Sequence, residues 1–113
     1  LLITSRETRR WIVPKGWRID GLTDAESAAR EAYEEAGVEG RIDPVPIGAF
    51  GYVKRRARGA DKPVAVDVYP LLVLREWTDW PERDERARGW FAADHAATLV
   101  QEPELAALLR ALD

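Results

Sequence analysis

The chain contains no cysteine. That excludes disulfides, thiol nucleophiles and thiolate zinc sites, and it is compatible with a cytoplasmic protein. There is one histidine, His95, near the start of a short expected helix, where a surface or capping role suits it better than general-base work. No apolar run is long enough to cross a bilayer and no charged-then-apolar leader opens the sequence, so neither a membrane span nor export is expected. A formal net charge of −3 gives no reason to expect nucleic-acid binding. Internal repeats, low-complexity tracts and linkers are also missing. What is present is a 113-residue chain that is 46% hydrophobic, enough for one globular domain over residues 1–113 and too little for two. Leu1-Leu2-Ile3-Thr4 reads as a strand from the first residue, which leaves room for a native lead-in before Leu1.

The densest signal lies between Gly16 and Val38. Thr23 and Glu26 have capping-box spacing and predict a helix start. Gly37 can adopt the left-handed conformation that ends a helix. Between them Ala25, Ala28, Ala29, Ala32, Tyr33 and Ala36 fall on one narrow face suited to lying close against a sheet. Glu31, Glu34 and Glu35 stand at i, i+3 and i+4, so their carboxylates converge on one helical surface. Their mutual repulsion would be relieved by a hard divalent cation such as magnesium or manganese. The same residues would also serve as a solvated acidic face, with Arg30 pairing to Glu34 along the helix. The loop Pro14-Lys15-Gly16-Trp17 stands directly after the apolar run Trp11-Ile12-Val13 and leads into this helix.

The remaining chain reads as strands closed by a helix. Ser5 to Arg10 is a polar turn, and Trp11-Ile12-Val13 is a strand ended by Pro14. Gly40 to Pro46 is a loop or short strand. Residues 47–53 form a strand whose glycines permit bends or close contact, and a basic turn from Arg55 to Lys62 follows. Val64 to Tyr69 alternates in strand fashion. Pro70 marks a bulge or edge, and Leu71-Leu72-Val73-Leu74 continues as buried strand. Trp77 to Arg86 is a polar loop and Gly89-Trp90-Phe91 a final strand. Asp94 is placed to cap a brief helix, and Pro103 opens a last one with Leu105, Leu108, Leu109 and Leu112 as its stripe. This order predicts a mixed sheet covered by helices on its two faces. Trp11 and Trp90 are expected in the core, and Trp17 and Trp77 are freer to touch a ligand.

The spacing of Gly16, Arg30-Glu31-Ala32, Glu34-Glu35 and Gly37-Val38 resembles the Nudix box, the metal-binding loop–helix–loop of the Nudix hydrolases. One position departs from the pattern, since Leu22 occupies the slot of the first glutamate. The resemblance extends over nearly the whole chain. It is greatest to the diphosphoinositol polyphosphate and diadenosine polyphosphate phosphohydrolases, through Arg10-Trp11-Ile12-Val13-Pro14, Gly48-Ala49-Phe50 with the basic turn, Trp80, Trp90-Phe91 and Asp94. Lys15 and Trp17 stand where that subgroup often has glycines.

The resemblance implies an α+β fold, an α/β/α sandwich with a mixed sheet between helices. It further implies a magnesium- or manganese-dependent pyrophosphohydrolase acting on a small polyphosphorylated substrate. Glu34 and Glu35 would be principal ligands with the Gly16 carbonyl, Glu31 a ligand or the base, and Arg30 the residue orienting the glutamates. Glu82 or Glu85 could add a further acid. Ser5, Arg6, Lys15, Lys54, Arg55 and Arg56 would meet the phosphates, since a cluster of cations suits a polyphosphate. The alternative is a non-catalytic module of the same fold that senses a phosphorylated metabolite. Oligomeric state is not legible.

Overall fold

The structure is a computed structural model and describes residues 1–54 and 58–112. Strand β1 (Leu2–Thr4) is the middle of a three-stranded antiparallel sheet, between β2 (Trp11–Ile12) and β7 (Arg88–Gly89). Ile3 is paired with Ile12 on one side and with Arg88 on the other. Helix α1 spans Asp24–Ala36 and leads directly into β3 (Val38–Ile42), which pairs antiparallel with β6 (Leu71–Glu76). Strands β4 (Gly48–Lys54) and β5 (Lys62–Val68) form a regular antiparallel ladder. Helices α2 (Ala93–Leu99) and α3 (Pro103–Arg110) close the chain. The class is α+β, as expected. Among the described residues every strand pair is antiparallel, and the sheet layer is divided into three separate sheets.

Helix α1 is defined at both ends by its sequence. The Thr23 hydroxyl accepts from the Glu26 N–H at 3.1 Å while the Glu26 carboxylate accepts from the Thr23 N–H at 2.8 Å, a complete capping box. Gly37 terminates the helix with φ 67°, a left-handed geometry open to glycine at little cost. A Cβ at Gly37 would also collide with the Trp80 ring. The last turn carries no basic residue of its own. Arg88 supplies one from β7, donating to the Ala36 carbonyl at 2.8 Å, and the Trp80 indole donates to the Glu35 carbonyl at 3.2 Å. Orphan carbonyls at the negative end of the helix dipole are thereby satisfied. The small face is buried as expected at Ala25, Ala32 and Ala36, and the core joins Ala32 and Ala36 to Ile3, Ile12 and Val38. On the far ladder α3 lies close over β4. The Leu108 side chain fills the space a Gly48 Cβ would need, and Glu104 accepts from the Gly51 N–H at 3.0 Å.

Several local expectations are corrected. Leu72 and Leu74 are 61% and 64% exposed, because a two-stranded antiparallel ladder leaves one face to solvent even where the sequence is uniformly apolar. Trp90 falls outside β7 and is 55% exposed, with its indole donating to Glu76 at 2.7 Å. Trp77 is held under Arg75 at 3.8 Å. Asp94 lies inside the first turn of α2, whose N-cap is Ala92 without a side-chain bond. Pro70 makes no bulge. It stands where the chain leaves the β4–β5 ladder for β3, and the register shift falls between Glu39 and Gly40. Strand β3 begins at Val38, earlier than the loop expected from Gly40. No helix among the described residues is long and apolar enough to cross a membrane.

Candidate active site

The loop between Pro14 and Thr23 is folded onto α1 by main-chain donors. The Ile19 N–H reaches the buried Ser27 hydroxyl at 2.9 Å, and the Lys15 N–H reaches Glu35 Oε1 at 3.4 Å. Leu22, in the slot of the first glutamate, enters this polar framework only through its backbone. Its N–H donates to Ile19 at 3.1 Å and its carbonyl accepts from Arg18 at 3.3 Å. Gly16 is pressed against the acidic face of the helix. A Cβ placed there would stand 2.5 Å from the Glu31 carboxyl carbon and 2.7 Å from its Oε1. Only the absence of a side chain lets the loop backbone approach that carboxyl group.

The three glutamates do not share one environment. Glu35 is only 6% exposed, with the Glu31 carboxyl group beside it as a hydrogen-bonding neighbour. Burial, and then this bond, raise the Glu35 pKa to about 8, opposed by the nearby Arg86 charge and the Lys15 N–H. Glu34 turns to the side and accepts from Arg30 Nε at 3.1 Å, the pairing along the helix expected of a solvated acidic face. Among the described residues no three acidic or histidine side chains already form a closed cage for a cation. Buried Glu35 and half-buried Glu31 beside Gly16 nonetheless fit a hard cation, which takes carboxylate oxygens and would relieve the crowding of two carboxyl groups.

Glu35 lies at the floor of a cleft of about 430 Å³, whose walls include Lys15, Trp17, Tyr52 and Lys54. Arg6 reaches its edge and pairs with Glu85 at 3.6 Å. Glu85 is thus held at the rim by an ion pair. Glu82 is drawn toward the floor through Arg86, which bonds it at 2.8 Å and approaches Glu35 at 3.9 Å. The Ser5 hydroxyl is bonded to that of Thr8, outside the cleft lining. Arg55 and Arg56 lie outside the described residues. His95 is exposed and tilts against Phe91. Burial lowers the pKa of Lys15, partly offset by the Glu35 charge, and its ammonium rests 4.9 Å over the Tyr52 ring.

Arg86 was missed by sequence reasoning. It sits in a polar loop among five residues of mixed charge, and only the fold brings its nearly buried guanidinium to the floor, where it also donates to the Thr4 carbonyl at 3.2 Å. The clue available was its nearness to Glu82, which is four residues earlier and directly paired with it.

No family-level sequence profile matches the chain. Individual proteins do. It is 33% identical over 104 residues to Nudix hydrolase 12, mitochondrial, of Arabidopsis thaliana, across 89% of this chain and 51% of the relative. It is 33% identical over 103 residues to the human diphosphoinositol polyphosphate phosphohydrolase 3-beta, across 89% of this chain and 58% of the relative. The rat diphosphoinositol polyphosphate phosphohydrolase 2 is 34% identical over 103 residues, with coverages of 89% and 53%. The chain spans about half the length of the curated relatives it matches. Across 89% of its length, including a capped α1 that sets Glu31 and Glu35 against Gly16, the chain is homologous to curated Nudix hydrolases.

Proposed function

We propose that residues 1–113 form one domain that hydrolyses a phosphoanhydride bond in a small polyphosphorylated substrate, of diphosphoinositol polyphosphate or diadenosine polyphosphate type, with magnesium or manganese. The observation that carries this reading is the buried Glu35, beside Glu31, at the floor of a cleft whose walls bear cations. Glu31 and Glu35 would hold the metal, and Glu34 and the Gly16 carbonyl would complete the set. When bound, the metal neutralises charge on the linked phosphoryl groups and makes an attacking water more nucleophilic. Glu31 takes up the proton that this water gives. Water adds to phosphorus, and the bridging oxygen departs with the other phosphoryl group. Lys15, Lys54 and Arg6 on the cleft walls bind the remaining phosphate oxygens, and Arg86 at the floor holds Glu35 and Glu82 in place. A cysteine-free chain suits a reducing compartment such as the cytoplasm.

The test is phosphate release from a panel of dinucleoside polyphosphates, diphosphoinositols and ADP-ribose, with each metal in turn. Glu35→Gln should cut kcat by roughly 10²-fold or more while leaving the protein folded. Tight binding of a panel member with no turnover in any metal would replace the reading with that of a phosphometabolite sensor.

A further inference from the structure

The outer end of the cleft holds a cluster of which the proposed chemistry uses only Lys54. Lys54 and Lys62 are Cα partners in the last pair of the β4–β5 ladder before its tip. Like charges placed directly across a strand pair repel each other. Both ammonium groups converge on one indole, with Lys54 Nζ 4.9 Å and Lys62 Nζ 5.5 Å from the centre of the Trp17 ring. Trp17 is 56% exposed and directly follows Gly16, the residue that touches Glu31. Among the described residues neither lysine has a carboxylate within ion-pair distance; the partners they do have are the ring faces. An aromatic face attracts a cation without cancelling its charge. The arrangement therefore fixes two positive charges in position and leaves both available to an anion.

We propose that Trp17, Lys54 and Lys62 form an outer anion subsite that takes a phosphoryl group remote from the bond broken, so that the cleft selects longer linear phosphate chains over shorter ones. A phosphoryl group with several oxygens can bridge the two ammonium groups and relieve their repulsion, which an uncharged group cannot do. Trp17 is the positioning residue. It joins the outer subsite to the loop of the acidic site, and hence the spacing between them to the length of chain accepted. This proposal rests on the polyphosphate reading of the cleft, and equilibrium binding separates the two because it requires no turnover.

Inorganic tripolyphosphate, pyrophosphate and inositol hexakisphosphate are titrated into the protein without divalent cation. Lys62→Gln and Trp17→Ala should each weaken tripolyphosphate by roughly three- to five-fold, the upper end for one exposed charge contact. Pyrophosphate should change by less than about two-fold. Lys62→Arg should restore tripolyphosphate binding, and added salt should shrink the difference between variant and parent. If the chain proves to be a hydrolase, Lys62→Gln should raise KM for the longer chain with kcat unchanged. Thermal unfolding checks that each variant is folded. Equal losses on tripolyphosphate and pyrophosphate, or none on either, would overturn the proposal. A loss confined to inositol hexakisphosphate would overturn its assignment to a linear chain.

Discussion

Glu35 lies in the last turn of α1, where the carbonyl end of the helix disfavours a carboxylate. It is buried there beside a second carboxyl group. A residue that breaks local preference in this way is retained where something else compensates, and a cation is the natural candidate. The metal-free protein should show the cost. A group whose folded pKa is raised stabilises the fold fully below its unfolded pKa and loses that contribution as pH climbs through the folded one. For Glu35 the window runs from 4.5 to about 8. Chelator-treated protein should therefore lose stability across that window, by on the order of a few kcal/mol. Glu35→Gln should flatten the dependence. A denaturant series at several pH values checks both statements.

Gly16 gives a second prediction at the same scale. In Gly16→Ala the new methyl group meets only the end of the Glu31 side chain, which can swing aside, so stability should fall by less than about 1 kcal/mol. Divalent affinity should fall by roughly ten-fold or more, because the carboxyl group is displaced from the pair. Unaltered affinity would remove Gly16 from the site. The placement of Glu31 and Glu35 as neighbours on one face of α1 was legible from spacing alone. Which of them is buried was not. Helical periodicity sets directions around α1, but it is the Lys15–Gly16 loop folding back that covers Glu35 and meets Glu31, and leaves Glu34 to Arg30.

At the scale of elements, α1 is the part of the fold most completely specified by its own residues. Thr23, Glu26 and Gly37 act through local backbone geometry, and local geometry can be read from sequence. Thr23→Ala breaks the capping box and should cost about 1 kcal/mol, seen as a lower Tm with the site chemistry intact. The closure by Trp80 and Arg88 could not be read this way, since it depends on a loop and a strand about fifty residues distant reaching the helix end. Arg88→Gln withdraws a charged donor from the Ala36 carbonyl and should destabilise by roughly 1–3 kcal/mol, measurable by urea unfolding. The strands after α1 were harder for the same reason. Leu71 to Leu74 has the composition of a strand buried on both sides, and only its pairing with β3 in a two-stranded ladder decides that Leu72 and Leu74 face water.

At the scale of the molecule, the fold brings two kinds of charge together. Acidic residues come from α1, and cations come from the β4–β5 ladder, the loop before α1 and the loop before β7. Arg86 shows why so much of this was hidden, because its position beside Glu35 is a property of the assembled sheet. The account rests on the claim that the Glu31–Glu35 pair is a cation site. Calorimetric titration of manganese into metal-free protein near pH 7, repeated in buffers of different ionisation enthalpy, tests that claim most directly. The predicted result is binding accompanied by release of close to one proton, with both binding and release lost in Glu35→Gln. Manganese binding that releases no proton, or binds Glu35→Gln as tightly as the parent, would contradict it.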